Sequence, residues 1–328
     1  MKRAVEKLLM NLPINTLITL FLRENEKNLK GEKFFLRRVL LDVLKLKLER
    51  EICDIFDRKK KFILIAGTGH CGTKWLAYCL NRPFDNMVFF HELKMTILNK
   101  EWLEIAPYQF EKGITEVFNP YFNLISLLMR RFKIVGDSNS WELCFIPEVH
   151  KKMKINYIIY LVRNGIQCVH SQYYINKEFP RSHWLYETFI KKYYKMLQSS
   201  KDDWNTYDEW ACWCFYWKIN KYMPQWLKEH LNVEVFIYRF EDLLKDTKKL
   251  KSLFLKINSN ISISENELKS LQLIDINRKI KGHREPEFLW KKWTQYQRDV
   301  FLKICGETME YYNYEIPKNE SFNSDSFT

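Results

Sequence analysis

Three groups of residues in the chain have the types and spacing to handle an anion or a proton. The first is Gly67-Thr68-Gly69-His70-Cys71-Gly72-Thr73-Lys74-Trp75, which follows a short apolar run and leads into a helical pattern. A glycine turn that feeds a helix presents backbone N–H groups and the positive helix end to a phosphate or sulfate. A merely tight turn is the plain alternative. The second group is Arg163, at the end of an apolar run, followed eight residues later by Ser171. That spacing puts the serine about two turns into the next helix. A guanidinium offers a planar fork to phosphate oxygens, and a hydroxyl adds a neutral donor. The third is His91-Glu92, after the apolar residues 87–90. Either side chain can take a proton from an attacking hydroxyl or amine, the glutamate once burial has raised its pKa toward neutrality.

The glycine segment reads in three ways. Gly67, Gly69 and Gly72 satisfy the GxGxxG dinucleotide fingerprint, with Glu92 twenty residues beyond Gly72, which would make the chain a nicotinamide-dependent oxidoreductase. Gly67 and Gly72 also frame a Walker A loop, the mark of a P-loop kinase. That motif needs Lys directly after the last glycine and then Ser or Thr to hold Mg²⁺. Here Thr73 precedes Lys74, so a lysine occupies the magnesium position and a metal-dependent kinase is disfavoured. The third reading takes in the Arg163–Ser171 pair, which neither rival needs. A non-catalytic anion-binding module is the non-enzyme alternative, weakened by the presence of two separate phosphate motifs.

In this third reading the chain resembles the PAPS-dependent sulfotransferases, of the bacterial and carbohydrate types, across residues 62–312 in motif order. Their 5'-phosphosulfate loop runs from a short strand through a basic residue, a small residue, Gly-Thr-Thr and a bulky residue. His70, Cys71, Gly72, Thr73, Lys74 and Trp75 fall on those positions, with histidine where the family has Lys or Arg and Lys74 where it has a second Thr. Their 3'-phosphate motif, strand-Arg-Asp-Pro/Gly with a serine eight residues on, matches Arg163 to Ser171, Asn164 standing for the Asp. In a third family segment Phe240 replaces a Tyr, and Trp75 matches an aromatic placed near adenine; core packing is the competing account of both rings. Arg278, Lys281 and Gly282 match the late phosphate-gripping loop.

The resemblance implies transfer of the sulfuryl group of 3'-phosphoadenosine-5'-phosphosulfate (PAPS) to an acceptor, with release of 3',5'-adenosine bisphosphate. It implies that Gly69 and the loop residues through Trp75 bind PAPS together with Arg163, Ser171, Phe240, Arg278, Lys281 and Gly282. Lys74, Thr73, the loop amides and His70 would stabilise the leaving oxygen, and Glu92 would be the base, with His91 as neighbour or alternate. It implies no metal, since a sulfuryl group carries less charge than a phosphoryl group. Asp137-Ser138-Asn139-Ser140 resembles an Asp-Ser-Ser segment of bacterial members. It reads as a lining of the acceptor cleft or, in preference, as a helix cap.

These groups need elements to hold them. Residues 62–66 form a continuous apolar run stopped by Gly67, as expected of a strand buried on both faces. Residues 87–90, 133–135, 157–162 and 233–238 repeat the pattern, separated by helical patterns that include 141–153, 186–197 and 209–231. The alternation predicts an α/β fold with a parallel sheet, helices on both faces, and ligands beyond the carboxyl ends of the strands. The resemblance makes this a three-layer sandwich around a central, mainly parallel five-stranded sheet. The aromatic stretch 204–217 reads first as helix core. Residues 1–60 read as a helical, amphipathic extension that packs on the main domain or on a second subunit of a homodimer, a membrane surface being the sharper alternative. Residues 61–318 read as the main domain and 319–328 as a disordered polar tail.

A net charge of +13 favours an anionic partner: a nucleotide, an acidic glycan, nucleic acid or a lipid headgroup. The resemblance selects the nucleotide, with a small-molecule or carbohydrate acceptor and no nucleic acid. Eight cysteines without a CxxC pair speak against structural zinc, and their apolar settings suit reduced thiols in a cytoplasmic protein. Residues 8–22 are apolar but interrupted by Asn11, Pro13, Asn15, Thr16 and Thr19, too short and polar to span a bilayer.

Overall fold

The structure is a computed structural model that describes residues 60–81, 86–91, 93, 114–138, 143, 146–176, 208–277 and 285–317, with Leu12, Leu17, Leu40, Val43 and Leu44 upstream. The rest of the expected extension, the pattern at 186–197 and the tail lie outside the described residues. In chain order the first elements are β1 (Lys61–Ala66), α1 (Thr73–Asn81), β2 (Met87–His91), α2 (Ile114–Arg131), β3 (Ile134–Ser138), α3 (Ile146–Met153), β4 (Tyr157–Val162) and α4 (Gly165–Asn176). After them come α5 (Glu209–Lys218), a 3₁₀ turn (Ile219–Lys221), α6 (Met223–Leu231), β5 (Glu234–Arg239), α7 (Phe240–Lys245), α8 (Thr247–Ile257), α9 (Glu265–Asn277), α10 (Pro286–Lys292) and α11 (Gln295–Tyr311). No helix among the described residues is long and apolar enough to cross a membrane.

The chain divides into two compact units, one running to Gly67 and over 71–161 and 224–277, the other made of Thr68–His70, 162–223 and 278–328. The first unit holds the sheet, in the order β2-β3-β1-β4-β5. The registered pairs β1–β3, β1–β4 and β2–β3 are all parallel, with Ile65 opposite Ser138, Ala66 opposite Tyr160 and His91 opposite Ser138. All six residues of β4 and five of the six in β1 are buried, which is why these strands read as unbroken apolar runs. Each fully buried Ile, Leu or Val side chain stabilises such a sheet by about 1.5–3 kcal/mol. β1 has later strands on both sides, so the strand order reverses around it, the place where open α/β sheets bind ligands.

β3 runs three residues past its expected end. Gly136 lets the backbone pass beneath the Phe89 ring, where an added Cβ would lie 2.1 Å from two ring carbons, and the strand continues through Asp137 and Ser138, both fully buried. Their polar side chains find partners inside the unit, so the strand extends without apolar residues.

The second unit is organised by α5, in which every residue from Trp210 to Trp217 is buried. A helix that is apolar all round belongs in a core, which bears out the helix-core reading for 210–217. Asp208 caps it, accepting from the Ala211 N–H at 2.9 Å. Trp210, Trp293 and Phe301 meet edge to face around it at centroid distances of 4.6 and 5.2 Å. The single helical pattern at 209–231 is broken at the 3₁₀ turn, and Pro224 falls in the first turn of α6, where its missing N–H costs nothing.

Candidate functional site

In the second unit, Arg163 follows β4 and is 9% exposed. Its Nη1 donates to the carbonyl of His70 at 3.1 Å and its Nε to Gln167 Oε1 at 3.1 Å. Trp217 Nε1 donates to the Arg163 carbonyl at 3.0 Å, fixing the main chain behind the guanidinium. Asn164 starts α4: its Oδ1 accepts from the Ile166 N–H at 2.9 Å and its carbonyl from the Cys168 N–H. An asparagine serves there as a helix N-cap as well as an aspartate would. Gln167 and Ser171 are four residues apart on α4 and so share one of its faces, with Arg163 reaching Gln167 from ahead of the helix. Ser171 is half-buried on that face.

The glycine segment in this unit is held from several directions. Gly69 accepts from Gln172 Nε2 at 2.7 Å, and the Thr68 hydroxyl from Asn220 Nδ2 at 3.0 Å. His70 itself adopts φ 65°, a left-handed conformation that few non-glycine residues take without being held. Its ring is exposed.

In the first unit the same segment continues into α1. Gly72 has φ 95°, and a Cβ there would lie 2.2 Å from Phe240 Cδ2, so the turn needs glycine twice over, for backbone angle and for space. Phe240 forms the floor of the turn. Its ring meets Trp75 edge to face at 5.5 Å, and Trp75 Nε1 donates to the Leu271 carbonyl at 3.3 Å. With Trp75 at 6% and Phe240 at 2% exposure, both belong to the apolar core of this unit. Core packing, one of the two readings that the sequence leaves open for these rings, describes their surroundings in this unit. Thr73 is the buried first residue of α1, and Lys74 is half-buried.

His91 ends β2. Its Nδ1 lies 3.1 Å from the Ser138 carbonyl and 3.0 Å from Ser138 Oγ, and that hydroxyl donates to the Thr73 carbonyl at 3.1 Å. A carbonyl only accepts, so in the neutral ring Nδ1 carries the proton and the lone pair sits on Nε2. Ser138 therefore joins the candidate base to the first residue of the helix behind the glycine turn. Asp137 fixes the same strand end. Its Oδ1 accepts from the Ser138 N–H at 3.0 Å and the Leu93 N–H at 3.4 Å, and its Oδ2 from the Tyr121 hydroxyl at 3.0 Å. Asp137 and Ser138 belong to β3 and not to the start of the next helix, while Asn139 and Ser140, the rest of the segment read as a cap, lie outside the described residues.

Gly69, His70 and Arg163 are thus brought together in one unit, and Gly72, Thr73 and His91 are linked in the other through Phe240 and Ser138. Glu92, Arg278, Lys281 and Gly282 lie outside the described residues. No protein-family model matches the sequence, and no curated protein does. Solved structures similar to it include sulfotransferases. A mouse sulfotransferase complexed with PAP is 17% identical at a TM-score of 0.44, the likeness covering 78% of this chain and 87% of that one. A sulfotransferase from Mycobacterium avium is 8% identical at 0.43, over 92% and 97%. The sulfotransferase domain from the curacin biosynthetic pathway is 15% identical at 0.42, over 80% and 100%.

Sequence reading does not single out Gln167, Gln172, Asn220, Tyr121 or the role of Ser138. A signal existed for two of them. Gln172 continues the buried stripe of Cys168 and Val169, and Asn220 follows the apolar run of α5, so each is a polar residue at a core position.

Proposed function

We propose that this chain is a sulfotransferase that takes a sulfuryl group from PAPS and gives it to a hydroxyl or amine of a small-molecule or glycan acceptor. The observation that carries the reading is the bond from Arg163 to the His70 carbonyl, which joins two segments ninety-three residues apart, each read independently as a phosphate motif. Neither a dinucleotide fingerprint nor a Walker loop calls for an arginine from a neighbouring strand end at this point.

In the proposed reaction Lys74, Thr73 and the loop amides meet the charge that develops on the bridging oxygen. The S–O bond to the 5'-phosphate breaks and its electron pair stays with that oxygen, while a new bond forms from the acceptor atom to sulfur. The acceptor's proton goes to a base. His91 suits this role, since Ser138 holds its proton on Nδ1. Arg163 and Ser171 would take the 3'-phosphate of the nucleotide.

Titration calorimetry on the full chain tests the reading. 3',5'-Adenosine bisphosphate should bind without Mg²⁺, and Arg163→Ala should weaken it about a hundredfold or more, as loss of a charged hydrogen-bonded partner does. Preference for NADH or for Mg-ATP would assign the site to an oxidoreductase or a kinase instead.

A further inference from the structure

Arg163 is one of several side chains among the described residues that draw on the glycine segment. Gln172, next to Ser171 on α4 and fully buried, donates to the Gly69 carbonyl at 2.7 Å. Asn220, fully buried in the 3₁₀ turn, donates to Thr68 Oγ1 at 3.0 Å and to the Trp217 carbonyl at 2.8 Å. Its own carbonyl accepts from the Tyr312 hydroxyl at 2.6 Å, so the asparagine is clamped on both sides.

Two successive loop carbonyls, those of Gly69 and His70, are therefore turned toward Gln172 on α4 and Arg163 just ahead of it. Every peptide bond here is trans, so the N–H in each of these planes points opposite to its C=O. The amides of His70 and Cys71 are consequently turned away from Gln172 and Arg163, side by side. His70 at φ 65° supplies the left-handed residue that curves such a pair of N–H groups into a concave anion site. A leucine at 172 would fill a core position without burying an amide, so the glutamine is present for its bond.

From this geometry we infer that Gln172 and Asn220 are positioning residues for the 5'-phosphate end of the nucleotide. They do not touch it; they aim the loop amides that do. The inference rests on the nucleotide reading above and extends it from the groups that hold the ligand to those that shape the loop.

The test separates the two ends of the ligand. The full-length protein, Gln172→Met and Thr68→Val are titrated with adenosine 5'-monophosphate, adenosine 3'-monophosphate and 3',5'-adenosine bisphosphate, the weak ligands by competition against the bisphosphate. Methionine nearly matches glutamine in volume without the donor, and valine matches threonine without the hydroxyl that Asn220 holds. Each variant should weaken the 5'-monophosphate and the bisphosphate about tenfold, the loss of one hydrogen bond's worth of alignment, and leave the 3'-monophosphate within about twofold. Equal weakening of all three nucleotides, or no change in any, overturns the inference while the nucleotide reading stands. Failure of the unaltered protein to bind any of them overturns both.

Discussion

Gly72→Ala is the most direct probe of how the glycine turn is built. Two penalties add. An alanine at φ 95° costs about 1–2 kcal/mol for the left-handed backbone alone. The new Cβ also falls 2.2 Å from Phe240 Cδ2 and 2.3 Å from Cε2, and at 2% exposure that ring has no open side to swing toward, so overpacking adds about 1–3 kcal/mol. Urea unfolding followed by circular dichroism should show a loss of about 3–4 kcal/mol, the sum of the central values. Phe240→Ala alone should cost about 3–5 kcal/mol through the cavity it leaves. In the double variant the collision has gone and only backbone strain remains, so its loss should fall about 2 kcal/mol short of the sum of the two single losses. Additivity within about 0.5 kcal/mol would mean that Phe240 is not the floor of the turn, and the account of this glycine would be wrong.

Three further outcomes follow from polar groups in the first unit. Asp137→Asn should cost about 2–3 kcal/mol in the same unfolding assay, since three donors converge on this carboxylate and an amide can accept fewer of them; Tyr121→Phe should cost only about 1 kcal/mol. His150 on α3 has its pKa lowered, first by burial and then by the Lys154 charge. The unfolded chain therefore takes up this proton before the folded one does, and stability present above about pH 6.5 is lost as pH falls through the folded-state value. His150→Gln should flatten that part of the stability-against-pH curve, and an unchanged slope would contradict the assignment.

β1, β2 and β4 were legible because they are buried on both faces. Residues 157–162 are apolar without a break and form β4 with the expected bounds. The end of β3 was not legible, because Asp137 and Ser138 look like turn residues until the Tyr121 hydroxyl, the Leu93 amide and the Thr73 carbonyl supply their partners. Those partners are remote in sequence, and no local pattern encodes them. The same limit applies to Trp75 and Phe240. An aromatic residue beside a phosphate loop has one appearance in sequence, and only the packing of residues 240–271 around it makes it core. Arg163 was readable from its place after a strand and before a serine-bearing helix, whereas Gln167 and Gln172, which steady it and the loop, show only as polar interruptions.

Arg163 is tethered at both ends, its carbonyl by the Trp217 indole and its guanidinium by Gln167 and the His70 carbonyl. A long flexible side chain of this kind has about 2 kcal/mol of rotamer freedom to lose when it is immobilised. Here that freedom is surrendered as the chain folds, so the phosphate clasp proposed for this arginine is set before any ligand arrives. Replacing Gln167 with leucine would take away the Nε tether and shift part of that ordering cost onto the binding step, weakening the complex without removing a group proposed to contact the ligand.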